Sequence, residues 1–338
     1  MPGQEQARAR LAVLGTNCNH RLFAKINTSS VFTLNYQRLG AIYGLLMLML
    51  YATTVFSGDS QLSADLVSLV DTEREFARTS VAQGIRSSFL EYFADDAIVF
   101  QPQPVKYKET TGDLPAQADP LAYTLDWQPL YSDVSAAGDL GYNTGPYILT
   151  DNSPARRPPQ YGFFFSVWKK QTDGHWKVVL DVGIETNAAY SGPHELRTGA
   201  VSSTATTTII DRVAARARLF ELEHALQESA HTQGMAGAYS LRLSNNSRLH
   251  RNGIQPMLGR KAIVRYLSQN NDSPTWKPLY ADIASSGDLG YVYGSYQFIQ
   301  ARSGAVSEQG YYARVWKRGT DNKWLVVLDT TSPVPSAK

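Results

Sequence analysis

From Leu62 to Gln83, apolar residues recur at helical spacing. Leu62, Leu66, Leu69, Val70, Phe76 and Ala77 fall three or four apart, with Glu73 and Ser80 in the same stripe. That period predicts an amphipathic helix, and Gly84 is a natural stop for it. A second short helix is predicted over Arg86–Phe93. After Asp95-Asp96 comes a strand, Ala97–Gln101, and residues 102–120, with four prolines, read as irregular. From Trp127 the pattern changes to alternation. It predicts strands at Leu130–Ser135, Leu140–Leu149, Tyr161–Lys169 and Trp176–Val182. Turns are predicted at Ala137-Gly138-Asp139 and Thr172-Asp173-Gly174, and Gly145 is expected to bend or bulge its strand. Helices first and an antiparallel meander after argue for an α+β domain.

The pattern then returns. Trp127–Tyr147, WQPLYSDVSAAGDLGYNTGPY, recurs without a gap as WKPLYADIASSGDLGYVYGSY at Trp276–Tyr296, with 12 of the 21 positions identical. Gly162–Asp181 recurs as Gly310–Asp329, and Glu73–Gly84 as Glu223–Gly234. The chain is therefore a tandem duplication, each unit of roughly 120 residues being an ordinary domain length. In the second copy the helix Ala214–Gln233 carries Leu219, Leu222, Glu223 and Leu226 inward. Gly259–Leu267 adds a short helix that the first copy lacks. The domains are read as 58–186 and 210–332. Between them 187–209, rich in Ser, Thr, Gly and Ala, is a linker, and the tail Thr330–Lys338 is expected to be loose.

Residues 1–57 form a leader. Its apolar run, 39–57, follows a basic stretch and ends in small residues, the pattern of a signal peptide. The alternatives are an uncleaved anchor, for which the run is just long enough, and a buried helix. Either of the first two readings exports both domains, to the periplasm or outside the cell. Membrane contact is expected only through 39–57 if it is retained. Without residues 1–38 the chain carries 27 Lys/Arg and 29 Asp/Glu, a net charge of −2, from totals of 32 and 30. That near neutrality argues against a nucleic-acid partner. Cys18 is the only cysteine, which excludes a disulfide framework and a cysteine zinc site within the chain. No phosphate-cradling glycine loop and no serine- or cysteine-centred nucleophile motif occurs, and no cofactor is expected.

A helix ending at glycine, then LEYFADDAIVFQP (Leu90–Pro102), then a meander closing on VWKKQTDGHWKVVLDVG (Val167–Gly183), resembles the SnoaL-like domains of the nuclear-transport-factor-2-like superfamily. The resemblance covers both units, although Asp95-Asp96-Ala97 becomes Asn245-Asn246-Ser247 in the second. It implies two cone-shaped domains, each with N-terminal helices packed on a bent antiparallel sheet around a pocket. It also implies pairing of the two sheets, here as an intrachain pseudo-dimer. Members include ketosteroid isomerases, polyketide cyclases and dehydratases as well as binders, so the fold does not decide function. In the isomerases a general-base aspartate precedes a proline on the strand after the second helix. That position is Gln101 here, and Arg251 in the second copy. Neither can take a proton from carbon at neutral pH.

Glu73 and Glu223 lie mid-stripe on apolar helix faces, where burial would raise a carboxyl pKa and suit acid–base work. The plainer role is a hydrogen-bonded structural glutamate. Asp181 and Asp329 close VVLD in both copies and either face the pocket or pair with a neighbouring strand. His250, in place of Phe100, joins them as a catalytic candidate. The six tryptophans pair by the repeat as Trp127 with Trp276, Trp168 with Trp316 and Trp176 with Trp324, and most are expected in cores. The expected ligand-binding set is Tyr147, Trp168, Tyr296, Tyr312, Arg314 and Trp316. Tyr312 and Arg314 replace Phe164 and Ser166. If these positions and His250 face the cavity, the second pocket is the more polar and Arg314 suits an acidic ligand. Otherwise this parity faces solvent or the partner domain. His224, Glu228 and His231 have metal-ligand spacing but lie away from Leu219, Leu222 and Leu226, so a solvated face is expected and no metal.

The reading that results is an exported small-molecule-binding protein with a mostly apolar pocket in each domain and no turnover. One alternative is an isomerase, cyclase or dehydratase, which needs two titratable groups within reach in one cavity. Another is a structural or assembly module, with both cones filled by side chains.

Overall fold

The computed structural model describes residues 62–115, 117–199 and 211–334. The leader with its 39–57 run, most of the later part of the linker and residues 335–338 lie outside them. Among the described residues no helix is long and apolar enough to cross a membrane.

Helix α1 (Ala64–Gln83) starts at Ser63, whose Oγ accepts the N–H of Leu66 at 3.2 Å, satisfying one of the free donors of the first turn. Its buried stripe is Leu66, Leu69, Val70, Glu73, Phe76, Ala77, Thr79 and Ser80. Gly84, at φ 93°, turns the chain into α2 (Ile85–Tyr92), and a Cβ there would collide with the carbonyl of Pro120. Strand β1 (Phe93–Phe100), β2 (Pro104–Lys106) and a single-turn helix, α3 (Tyr107–Thr111), follow. The stretch expected to be irregular thus contains a strand and a helical turn. Tyr107 anchors it, buried against Phe89 and Phe93 at ring separations of 5.6 and 5.1 Å.

The first sheet is completed by β3 (Tyr123–Trp127), β4 (Tyr131–Val134), β5 (Leu140–Asp151), β6 (Gln160–Lys170), β7 (Trp176–Thr186) and β8 (Arg197–Thr198). The strand order is β2-β1-β7-β6-β5-β4-β8, with β3 also on β5. The break opposite Gly145 falls in the facing chain, between β3 and β4. A Cβ at Gly145 would strike the carbonyl of Gln128. Residues 187–199, expected as linker, include β8, which pairs in parallel with Tyr131 and Ser132 of β4.

The second half repeats the plan. Helix α4 (Arg212–Ser240) is broken at Gly234, φ 71°, the counterpart of Gly84. Then come β9 (Leu243–His250), β10 (Met257–Leu258), α5 (Arg260–Leu267), β11 (Ser273–Ile283), β12 (Leu289–Ile299), β13 (Val306–Arg318) and β14 (Trp324–Pro333), in sheet order β10-β9-β14-β13-β12-β11. Thr330–Pro333 belongs to β14, paired residue by residue with β13, where a loose tail was expected.

One face of each sheet carries its helices. The other faces pack together through a shared apolar cluster that includes Tyr142, Phe165 and Leu180 from the first half and Tyr291, Val315 and Leu328 from the second. The polar contacts at its rim come in matched pairs. Lys169 Nζ donates to Asp282 at 2.7 Å and Lys317 Nζ to Asp133 at 2.6 Å. The N–H of Ala136 reaches Asp288, and that of Ser285 reaches Asp139. Each contact recurs with its members exchanged between the halves, the mark of a two-fold self-complementary interface.

The two lysines differ in their surroundings. Asp282 has a second cation in Arg216, at 2.8 Å, and no other cation is described on Asp133. Lys317→Met should therefore cost about 3 kcal/mol, by leaving a buried carboxylate unpaired. Lys169→Met should cost about 1 kcal/mol or less, since Arg216 stays. Denaturant unfolding of the two variants checks the order.

Candidate functional site

Each cone is built around the glutamate of its first helix. Glu73 is 1% exposed. Its Oε1 accepts Trp127 Nε1 at 2.7 Å. Its Oε2 accepts Asn143 Nδ2 at 2.9 Å, Ser166 Oγ at 2.6 Å and Trp168 Nε1 at 2.7 Å. Burial raises its pKa, and these four donors oppose the rise. No cation is among them. Glu73 is thus the structural glutamate of the two roles considered, tying α1 to β3, β5 and β6.

Glu223 is fully buried at the equivalent place, accepting Trp316 Nε1 at 2.6 Å, Tyr312 OH at 3.0 Å and an Arg314 guanidinium N–H. Its backbone carbonyl accepts Trp276 Nε1 at 3.1 Å. Arg314 also donates through Nε to Asp329 at 2.6 Å and through Nη2 to Tyr239 OH at 2.8 Å. Asp329 completes the network, taking Arg251 Nη1 at 2.7 Å and Tyr239 OH at 2.7 Å. Despite burial, the two arginines hold its carboxyl far below the usual range, while the adjacent carboxylates raise Arg314 further. Two carboxylates and two guanidinium groups balance.

This corrects the expectation for the second half. Its interior is occupied by an ion network, where a mostly apolar pocket was expected. Arg314, expected to hold an acidic ligand, is held by Glu223 and Asp329, and Tyr312 and Trp316 are bound to Glu223. The cavity at its mouth, about 240 Å³, has a mixed lining, with Arg251, Asp272 and Glu308 beside Met235, Leu267 and Phe298. Tyr296 is outside that network and donates to Glu308 at 2.6 Å.

Asp181 occupies in the first half the place of Asp329, opposite Ser166 as Asp329 is opposite Arg314. Every partner of Asp329 has changed. Arg314 is Ser166, Arg251 is Gln101 and Tyr239 is Phe89. Asp181 makes no hydrogen bond and no ion pair among the described residues. It is half-buried and near Glu73, and its pKa is pushed up to about 8, chiefly by desolvation and then by Glu73. At neutral pH it is a carboxylic acid. Tyr147 is close enough for the Asp181 charge to bear on it, and burial first of all pushes its phenol to about 12. Its ring lies over Gly162 and Gly183, where a Cβ would touch it. No partner is described for its hydroxyl. A cavity of about 270 Å³ reaches Tyr147 and Trp127. Trp168, also expected at a ligand, is fully buried and spent on Glu73 and Ser166.

His250 is displaced from its expected role. Val99 and Leu249 point into the cores, so alternation sends Phe100 and His250 to the opposite face. Phe100 packs on Tyr293 and Tyr311, and His250 on Phe163. The catalytic candidates Glu223 and Asp329 are together in the second cone, Glu73 and Asp181 are in the first, and His250 belongs to neither. Of the metal-spaced set, His231 Nε2 pairs with the carbonyl oxygen of Pro274 at 2.6 Å. The replacement of Tyr239 by Phe89 and the role of Asn143 as a Glu73 donor were not singled out from the sequence. Aligning the copies at offset 150 exposes the first.

Helices leading into a bent sheet, with the pocket between them, is the arrangement the resemblance implied. The architecture is α+β in each half, as that resemblance implied. Solved structures match the chain in part. An NTF-2-like protein from Shewanella oneidensis is 15% identical over 33% of this chain and 94% of its own, with a TM-score of 0.29. A ketosteroid isomerase-like protein from Erwinia carotovora is 11% identical over 35% and 95%, at 0.30. An NTF2-like protein from Novosphingobium aromaticivorans is 18% identical over 37% and 90%, at 0.29. No protein-family model and no curated protein matches the sequence.

Two outcomes test this pair of interiors. Arg314→Met should destabilise the protein by about 3–5 kcal/mol, because it leaves Glu223 buried without a cation and removes one of the two cations on Asp329. The second concerns pH. Asp181 keeps its proton to about pH 8 when folded and to about pH 4 when unfolded. Between those values the folded state binds the extra proton, so this residue's contribution falls as pH rises through the window. Asp181→Asn should therefore gain stability relative to wild type between pH 5 and pH 8. Urea titrations at both pH values give the comparison.

Proposed function

We propose that the first half is a small-molecule-binding site and the second its structural counterpart. The single observation behind this is the contrast between Asp181 and Asp329. The same carboxylate is neutralised by two arginines and a tyrosine in one half and left without a partner in the other. A half-buried polar group without a hydrogen bond has lost part of its hydration without replacement, and a ligand that supplied a bond would restore it.

The chemistry narrows the ligand class. Asp181 as an acid and Tyr147 as a phenol are both neutral O–H donors at pH 7. The Tyr147 ring packs on the cluster that contains Phe76, Phe164 and Trp127. A tyrosine beside a protonated carboxylic acid suits a carbonyl or phenolate oxygen. The expected ligand is a small, largely aromatic or alicyclic molecule with such an oxygen. Gln101, at the general-base position, cannot abstract a proton, which favours binding without turnover. A second reading, general-acid chemistry of the isomerase, cyclase or dehydratase type, draws on an acid whose pKa is near neutrality. It lacks a free second carboxylate, since Glu73 is held by four donors. Export is part of the proposal and rests on the basic leader and the 39–57 run.

The test is native mass spectrometry of the full chain purified from cells, beside the same sample denatured. The expected result is extra mass in the native spectrum that is lost on denaturation and absent from Asp181→Val. Bare wild-type protein, or mass retained in Asp181→Val, would overturn the assignment.

A further inference from the structure

The two-fold relation between the halves fails where Phe100 meets the second sheet. Phe100 packs between Tyr293 and Tyr311 of the second sheet, at ring separations of 6.3 and 6.0 Å. At the mirrored place the three rings become His250, Thr144 and Phe163. Tyrosine has become threonine and phenylalanine has become histidine, and the lost volume is not refilled. A cavity of about 110 Å³ lies there instead, lined by both halves and roofed by Tyr190, Pro193 and Arg197 of the connecting segment. An apolar cavity of comparable size, about 150 Å³, holds benzene.

The polar groups on its walls have one character. Arg248 is 8% exposed and lies flat on the Tyr131 ring, 3.4 Å from its centroid. One of its nitrogens donates to the carbonyl of Asn246 at 2.8 Å, and no carboxylate is within ion-pair range among the described residues. Arg197 has no side-chain partner there either. His250 is 1% exposed, with Nε2 at 3.5 Å from Thr144 Oγ1 and Nδ1 unpartnered. Burial, with Arg248 and Arg251 nearby, keeps this imidazole neutral, its pKa pushed down to about 3. Against the two arginines stands Glu195 alone, so the lining carries one net positive charge. The remaining walls, including Leu130, Phe163 and Leu258, are apolar.

We propose that this junction is a second ligand site, for a small monocarboxylate with an aromatic or branched apolar body. A planar carboxylate matches the guanidinium fork, and a single negative charge matches the net lining. The body takes the space that Phe100 and Tyr293 fill on the other side. Desolvation works against the charge of Arg248, and a bound carboxylate restores its counter-charge. The site is separate from the Asp181 cone and holds or fails independently of it.

Calorimetric titration of the full chain with benzoate, and with benzamide as its neutral counterpart, tests the proposal. Benzoate should saturate one site per chain and benzamide should bind at least about tenfold more weakly. Benzoate affinity should fall by at least about tenfold in Arg197→Ala, an exposed position, and in His250→Phe, which restores the first-half residue. It should be unchanged in Asp181→Asn. No saturable benzoate binding, equal binding of benzamide, binding that survives either first substitution, or loss in Asp181→Asn would each overturn it.

Discussion

Burying a carboxylate on an apolar helix face is unfavourable unless its oxygens are satisfied. In each half of this protein the sheet is arranged to satisfy one. Glu73 and Glu223 draw indole N–H groups from facing strands, and those bonds set the depth at which helix meets sheet. Trp127 and Trp168 are held ring-inward by the same contacts, and Phe76, one turn along, packs edge-on against both at 4.7 and 6.0 Å. Helix, aromatic core and cone wall thus depend on one carboxyl group without a counter-ion in the first half.

The two halves diverge just beyond that frame. In the second, Arg314 extends the glutamate's network to Asp329, and the interior is full and electrically closed. In the first, serine stands in its place. It is large enough to serve Glu73 and too short to serve Asp181. One position therefore decides whether the cone's aspartate is tied into an ion network or left without a partner. Phe89 and Gln101 reinforce the outcome by withdrawing the other two donors.

Much of this was legible beforehand. The stripe on α1, the glycine stops and the meander follow from local periodicity, which the tertiary structure did not override. The glutamates stood out because a carboxylate amid leucines requires partners. The partners themselves were illegible, since they come from strands far along the chain. Facing was left open at Phe100 and His250, where the burial of Val99 and Leu249 decides the parity. The strand in the connecting segment has no apolar pattern, because it is held by backbone pairing at a sheet edge and buries little. The stretch after β1 was misread through its prolines, which bracket a turn anchored by Tyr107.

The face-to-face sheets have a further consequence. Two separate identical chains pairing in this way would carry every substitution twice, once on each side. An arginine that filled one cavity would fill both, and a histidine that opened one corner would open both. Joining the partners in one polypeptide removes that constraint. Each side mutates alone, and association is intramolecular whatever the cellular concentration. Specialisation of one cavity while its twin is kept for support is open to a fused pair and closed to a homodimer.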